Sequence, residues 1–182
     1  MRKLFSPFEQ SEVFIERGQS LESFMPALRI NNTGVKCEKL TVKQFRAMTP
    51  TCMFDAHWEE VAQDKQWPQD LNWEYYQALE VVGALHIVGL LINELIVGYF
   101  LFCVSPALHY AGKSLASSDM FYIVPQHRAR YAVRLFRAAE AYAKAAGANK
   151  MYISFKIYKD ITPLTKRLGF THVEDVVVKS LE

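Results

Sequence analysis

Asp119-Met-Phe-Tyr-Ile-Val-Pro125, running on into Gln126-His-Arg-Ala-Arg-Tyr131, is the stretch that decides the fold of this 182-residue chain. Its first part has the β-branched and aromatic composition of a strand, and Pro125 stops it: proline cannot donate to a ladder but suits the first turn of a helix. Beyond the proline, Leu135, Phe136, Ala139, Tyr142, Ala143 and Ala146 recur at helical spacing, while Arg134, Arg137, Glu140 and Lys144 take the other face and Gly147 ends the run. A strand feeding a helix start beside Arg128, Arg130 and Arg134 is suited to receive phosphate, because free N–H groups, the helix dipole and guanidinium forks all favour an anion there. A solvated basic helix face is the plainer alternative.

Downstream, Lys150–Phe155 reads as a second strand, and Asp160 as the cap of a short helix with Pro163 in its first turn. Leu168-Gly169-Phe170 then leads into a last strand ending Val176–Leu181. Upstream, the apolar run from Ala84 to Val104 has the length of a membrane span, but His86 and Asn93-Glu94 interrupt it, and a glutamate at mid-bilayer is costly. Two strands buried on both faces and joined at Asn93-Glu94 explain the composition better, so no membrane partner is expected.

Strand, proline, arginine-rich turn, long helix, strand, short helix and Leu-Gly-Phe together resemble the acyl-CoA-binding half of the GNAT acetyltransferase superfamily, over residues 84 to 181. The resemblance implies an α/β (α+β) fold with a mixed, mostly antiparallel central sheet flanked by helices. It also implies transfer of an acetyl group from acetyl-CoA to an amine, with Ile123, Val124, Arg128, Ala129, Arg130, Tyr131, Ala132, Val133 and Arg134 around the cofactor. Two features depart from the family pattern. The small residues that let pyrophosphate approach the backbone fall at Ala129, Tyr131 and Val133, of which only Ala129 is small. The tyrosine that protonates the leaving thiolate in many relatives is replaced by Thr165, for which Tyr158 is the candidate substitute.

Residues 1–34, punctuated by Pro7, Gly18, Pro26 and Gly34, read as an N-terminal arm. Residues 35–182 read as one domain, in which the resemblance implies that 35–83 wall the acceptor side and 84–182 make the acyl-CoA-binding core. Val35–Leu40 is a strand, Thr41-Val-Lys-Gln44 a capping box opening a short helix, Asp55–Lys65 a helix, and Asn72–Glu80 another rich in aromatics.

Asp119 opens the cofactor strand, where the resemblance places the base that deprotonates the acceptor amine; a turn residue closing Ser117-Ser118-Asp119 is the alternative. His57 and Glu60, three apart, share one helix face as an acid/base pair, or lie on a solvated face with Trp58 and Val61 turned inward. His109 follows the second hairpin strand and is a further catalytic candidate, or a loop histidine that packs.

A formal charge of +2, with 21 basic residues dispersed apart from the cluster at 127–137, gives no reason to expect nucleic acid as a partner. The three cysteines, Cys37, Cys52 and Cys103, cannot all pair and have no metal spacing, so no metal and a reducing, cytoplasmic setting are expected. Met1-Arg-Lys-Leu-Phe5 is followed by Ser6, Pro7, Glu9 and Gln10, which interrupt any export signal. The altered turn and Thr165 also fit a GNAT-fold protein whose catalysis has decayed to a binding or structural role, for example in a bacteriophage particle. In that case the arm would contact an assembly partner or a second copy, in the host cytoplasm or virion.

Overall fold

The computed structural model describes residues 34–181, so all but the last residue of the expected arm at 1–34 lies outside the described residues. The order is β1 (Val35–Leu40), α1 (Val42–Met48), α2 (Thr51–Val61), α3 (Trp73–Val81), β2 (Leu85–Ile92), β3 (Leu95–Pro106), β4 (Ser114–Ile123), α4 (Pro125–Ala145), β5 (Lys150–Tyr152) and α5 (Thr162–Arg167). The five strands form one sheet in sequence order. Its first four are antiparallel neighbours, and β5 lies parallel to β4 after the α4 crossover.

The apolar run is the β2–β3 hairpin. All eight residues of β2 are buried. The two-residue turn has Asn93 at φ 47° and Glu94 at φ 66°, left-handed values whose twist matches the flanking strands. No helix of the described residues is long and apolar enough to cross a membrane.

Helices cover both faces of the sheet. On one face α1 and α2 bring Phe45, Phe54 and His57 against Tyr99, and Trp73 of α3 packs on Phe45 and Phe54. On the other, α4 sets Phe136 edge-on against Phe100 and Phe121 and buries Leu135, Ala139 and Ala143. Local signals start the helices where the sequence places them. Thr41 and Gln44 form the capping box, Asn72 accepts from the Tyr75 amide at 3.0 Å, and α4 begins on Pro125. The helix expected at Asp55–Lys65 starts earlier, at Thr51, directly after Pro50.

Gly98 sits where β3 approaches the end of β4. A Cβ there would lie 2.8 Å from the Tyr122 carbonyl oxygen and 2.9 Å from Ile123 Cγ1, so only glycine lets the strands come this close. Further along the same pair, Leu101 faces Met120 and Phe102 faces Ser118, which leaves Asp119 as the extra residue of a β-bulge.

The last strand expected at Val176–Leu181 is not formed. Residues 170–181 carry no regular structure, and Val173, Val176, Val177, Val178 and Leu181 are exposed. The valine run has strand propensity, but a strand needs a ladder to join, and β5 at the sheet edge is only three residues long.

Candidate functional site

β5 pairs only with Leu115, Ala116 and Ser117 of β4. One residue further on, the Ser154 amide donates to the Ser118 hydroxyl at 3.0 Å, and the chain then leaves the sheet. From Asp119 to Ile123, β4 therefore continues beside β3 with no β5 ladder on its other edge. This parting ends at the start of α4. Val124 caps that helix without any side-chain hydrogen bond, while its amide is tied to the Val97 carbonyl at 3.0 Å. An uncapped first turn on a 21-residue helix presents N–H groups and the positive dipole end beside a free strand edge, an arrangement that favours an elongated anionic ligand.

The three arginines do not converge on one point. Successive helix residues are about 100° apart, so Arg130 and Arg134 leave α4 about 200° and about 240° round from Arg128. Arg128 folds back over the Tyr122 ring, 5.1 Å from its centroid, and its Nε donates to the Ile123 carbonyl at 2.7 Å. Its two terminal nitrogens grip both oxygens of Glu60, the Nη1 to Oε1 distance being 2.7 Å. Arg134 donates to the Val35 carbonyl at the start of β1 and also opposes the rise that burial gives the Cys37 thiol pKa. Arg130 lies over the Tyr131 ring. Tyr131 itself is buried in the core, its ring 5.8 Å from that of His127 one turn nearer the helix start. Ile123 and Val124 are buried, Ala132 and Val133 are half-buried, and Ala129 is exposed.

Glu60 collects a second cation, with Lys159 Nζ 3.3 Å from Oε1. Burial works to raise its pKa, but the hydrogen bonds and charges of Arg128 and then Lys159 outweigh it and hold Glu60 below the usual carboxylate range. His57 and Glu60 leave α2 on the same side but serve different neighbours. His57 is buried, its Nδ1 lies 2.8 Å from the Tyr99 hydroxyl, and its ring stacks on Tyr122 at 5.0 Å. Burial lowers its pKa to about 4, so at neutral pH the imidazole is uncharged and engaged with tyrosine.

At the β4 bulge, Asp119 is exposed and accepts a 2.7 Å hydrogen bond from Tyr76 of α3. Burial pushes the Tyr76 phenol pKa up, and the neighbouring Asp119 charge and hydrogen bond push it further, so Tyr76 remains a proton donor. Burial and then Asp119 also raise the Cys103 thiol, which marks the same side of the sheet.

The remaining candidates lie elsewhere. His109 is exposed in the turn between β3 and β4. Asp119 is five residues into β4, roughly 17 Å from that end at about 3.3 Å per residue. The Tyr158 hydroxyl donates to the Val61 carbonyl at 2.6 Å, and the buried Thr165 hydroxyl turns back to the Thr162 carbonyl at 3.2 Å. Among the described residues, no three His, Cys, Asp or Glu side chains group as a metal site. Tyr76, Tyr99 and Tyr122 escaped the sequence reading. Each owes its place to a partner more than twenty residues away, and no local spacing announces that.

No protein-family model matches the sequence, and no curated protein is similar to it in sequence. Solved structures do match in shape. An aminoglycoside acetyltransferase, meta-AAC0020, from an uncultured soil metagenomic sample and in complex with sisomicin, is 17% identical, with a TM-score of 0.61 over 81% of this chain and 95% of that one. The ribosomal-protein-alanine N-acetyltransferase from Brucella melitensis biovar Abortus 2308 is 15% identical, with a TM-score of 0.61 over 82% and 100%. The aminoglycoside N-acetyltransferase AAC(6')-Iy, solved in complex with CoA, is 12% identical, with a TM-score of 0.60 over 80% and 93%. The five-stranded, mostly antiparallel sheet with helices on both faces is thus the GNAT acetyltransferase fold.

Proposed function

We propose that this protein is an acyl-CoA-dependent N-acetyltransferase that moves an acetyl group from acetyl-CoA to an amine. The observation that carries the reading is the parting of β4 from β5 beside the uncapped start of α4. The free edge of β4 from Asp119 to Ile123 offers backbone groups to an extended chain, and the first turn of α4 offers N–H groups to phosphate. Ile123, Val124 and the first turn of α4 with Arg128 would hold the cofactor, which supplies the acetyl group as a thioester when bound, while Arg130 and Arg134 leave the helix on other sides. Tyr131 leaves that approach open because its ring is in the core.

Asp119 would take the ammonium proton of the acceptor. Tyr76 occupies Oδ2 and orients the carboxylate, leaving Oδ1 for the amine. The backbone N–H of Ile123 would polarise the acyl carbonyl, a role that neither Val124, whose N–H is bonded to the Val97 carbonyl, nor Pro125, which has none, can share. His57 would act by packing Tyr99 and Tyr122 and not as a base. The acceptor class proposed is a primary amine, on a small molecule or a protein.

Calorimetric titration of acetyl-CoA into the wild type, followed by a thiol-release assay over a panel of amines, tests this. Micromolar binding with amine-dependent thiol release is expected. Folded protein that binds no acetyl-CoA at millimolar concentration would refute it. That result would favour the second reading, a fold kept for binding or assembly, for example in a bacteriophage particle through residues 1–34. Its support is that Arg128, Arg134 and Thr165 already have hydrogen-bond partners within the chain.

A further inference from the structure

The arginine in the first turn of α4, Arg128, is already bound to an anion, and the chain itself supplies that anion. Three elements meet at Glu60: α2 carries the carboxylate, α4 brings Arg128, and the loop after β5 brings Lys159. The same loop is fastened to the end of α2 twice more, through the Tyr158 hydroxyl on the Val61 carbonyl and through Lys156 Nζ, 3.4 Å from Gln63 Oε1. It leaves the sheet at Ser154, where β4 loses its β5 ladder, and reaches α2 beside Arg128. The loop therefore passes along the free edge of β4 and is latched at the mouth of the cleft.

The latch is chemically a phosphate mimic. A carboxylate held bidentate by a guanidinium, with an ammonium on one of its oxygens, is the arrangement a phosphoryl oxygen pair would adopt on the same donors. Side-chain exposures of 38% for Arg128 and 44% for Lys159 leave both cations within reach of a solute. The carboxylate, at 21%, is the most enclosed of the three and is ionised at neutral pH.

We propose that Glu60 is an internal competitor for the anion site, latching the loop 154–159 over the β4 edge until an external phosphate takes Arg128 and Lys159 from it. This rests on the acyl-CoA reading of the cleft. It adds that the resting affinity is set by Glu60 and that ligand entry is coupled to release of the loop. A ligand that displaces Glu60 binds the released form only, so weakening the latch raises apparent affinity.

Acetyl-CoA and, separately, inorganic pyrophosphate titrated by calorimetry into the wild type, Glu60→Gln and Glu60→Gln with Lys159→Ala test this. Glu60→Gln is expected to bind both at least tenfold more tightly, and the added Lys159→Ala to reverse part of the gain. A folded Glu60→Gln protein that binds pyrophosphate no more tightly than the wild type overturns the proposal, even if acetyl-CoA binds both. A gain for pyrophosphate with no binding of acetyl-CoA by either form upholds the latch and refutes the acetyltransferase reading. On the wild type alone, the Glu60 carboxyl ¹³C resonance should shift on saturation with pyrophosphate. A resonance that stays fixed while pyrophosphate binds overturns displacement without recourse to any variant.

Discussion

Arg128→Ala should destabilise the protein in a way that depends on pH. Removing one partner of a fully buried ion pair costs about 3–5 kcal/mol, most of it from the charge left behind. Here Arg128 is 38% exposed and Lys159 stays near Glu60, so water and the remaining cation screen the orphaned carboxylate and the cost falls to about 1–2 kcal/mol at pH 7. The sign of the pH dependence follows from Glu60, whose folded-state pKa is depressed. Its stabilising contribution is present above the unfolded carboxylate value of about 4.3 and is lost as pH falls through the lower folded value. In the variant, burial remains while the main opposing cation is gone, so protonation of Glu60 relieves the penalty instead of breaking a bond. The destabilisation read from urea unfolding should therefore shrink steadily from pH 7 toward pH 4. Glu60→Gln in the same background should recover part of the loss at pH 7, because no uncompensated charge is left. A cost that is the same at pH 7 and pH 4, or a double variant no more stable than Arg128→Ala alone, would refute the reasoning.

Gly98→Ala should lower stability by about 1–3 kcal/mol in the same assay, since its methyl group meets the Tyr122 carbonyl and Ile123 at contact distances that force the strands apart. An unchanged urea midpoint would mean that the β3–β4 approach is looser than the geometry requires. The imidazole of His57 is neutral down to about pH 4 when folded but titrates near 6.5 when unfolded, so stability should fall as pH drops from about 6.5 toward 4. His57→Gln should flatten that part of the profile. Tyr76→Phe should remove one chromophore from the tyrosines that ionise above the ordinary range in an alkaline absorbance titration. It should also slow acetyl transfer more than it changes acetyl-CoA affinity, because Tyr76 holds Asp119.

Elements whose causes are local were legible in the sequence. β1 runs from Val35 to Leu40 as read, the Thr41 capping box closes on Gln44, and Pro125 opens the long helix. The β2–β3 hairpin turns at Asn93-Glu94, the polar pair in the middle of the apolar run, both in the left-handed region that Asn93 favours. What could not be read depends on partners distant in sequence. Arg128 looked like a phosphate ligand from its neighbours, but its bonds are decided by Glu60, 68 residues earlier. Tyr76 carried no mark beyond an aromatic-rich helix, and its place follows from an aspartate 43 residues away. The valines at 176–178 have the intrinsic preference of a strand, and the fold gives them no ladder to join.

The bulge at Asp119 also fixes how β4 can change in length. Side chains on a strand alternate between faces, and the extra residue resets that alternation so that Ser118 and Phe121 both serve the α4 side while Tyr122 serves the α2 side. Removing Asp119 would restore regular alternation with Ser118 still opposite Phe102 and every earlier residue on its present face, so the strand can absorb one deletion there. An insertion within Ser114–Ser118 has no such slack, whereas residues added in the exposed turn at 108–113 change neither face.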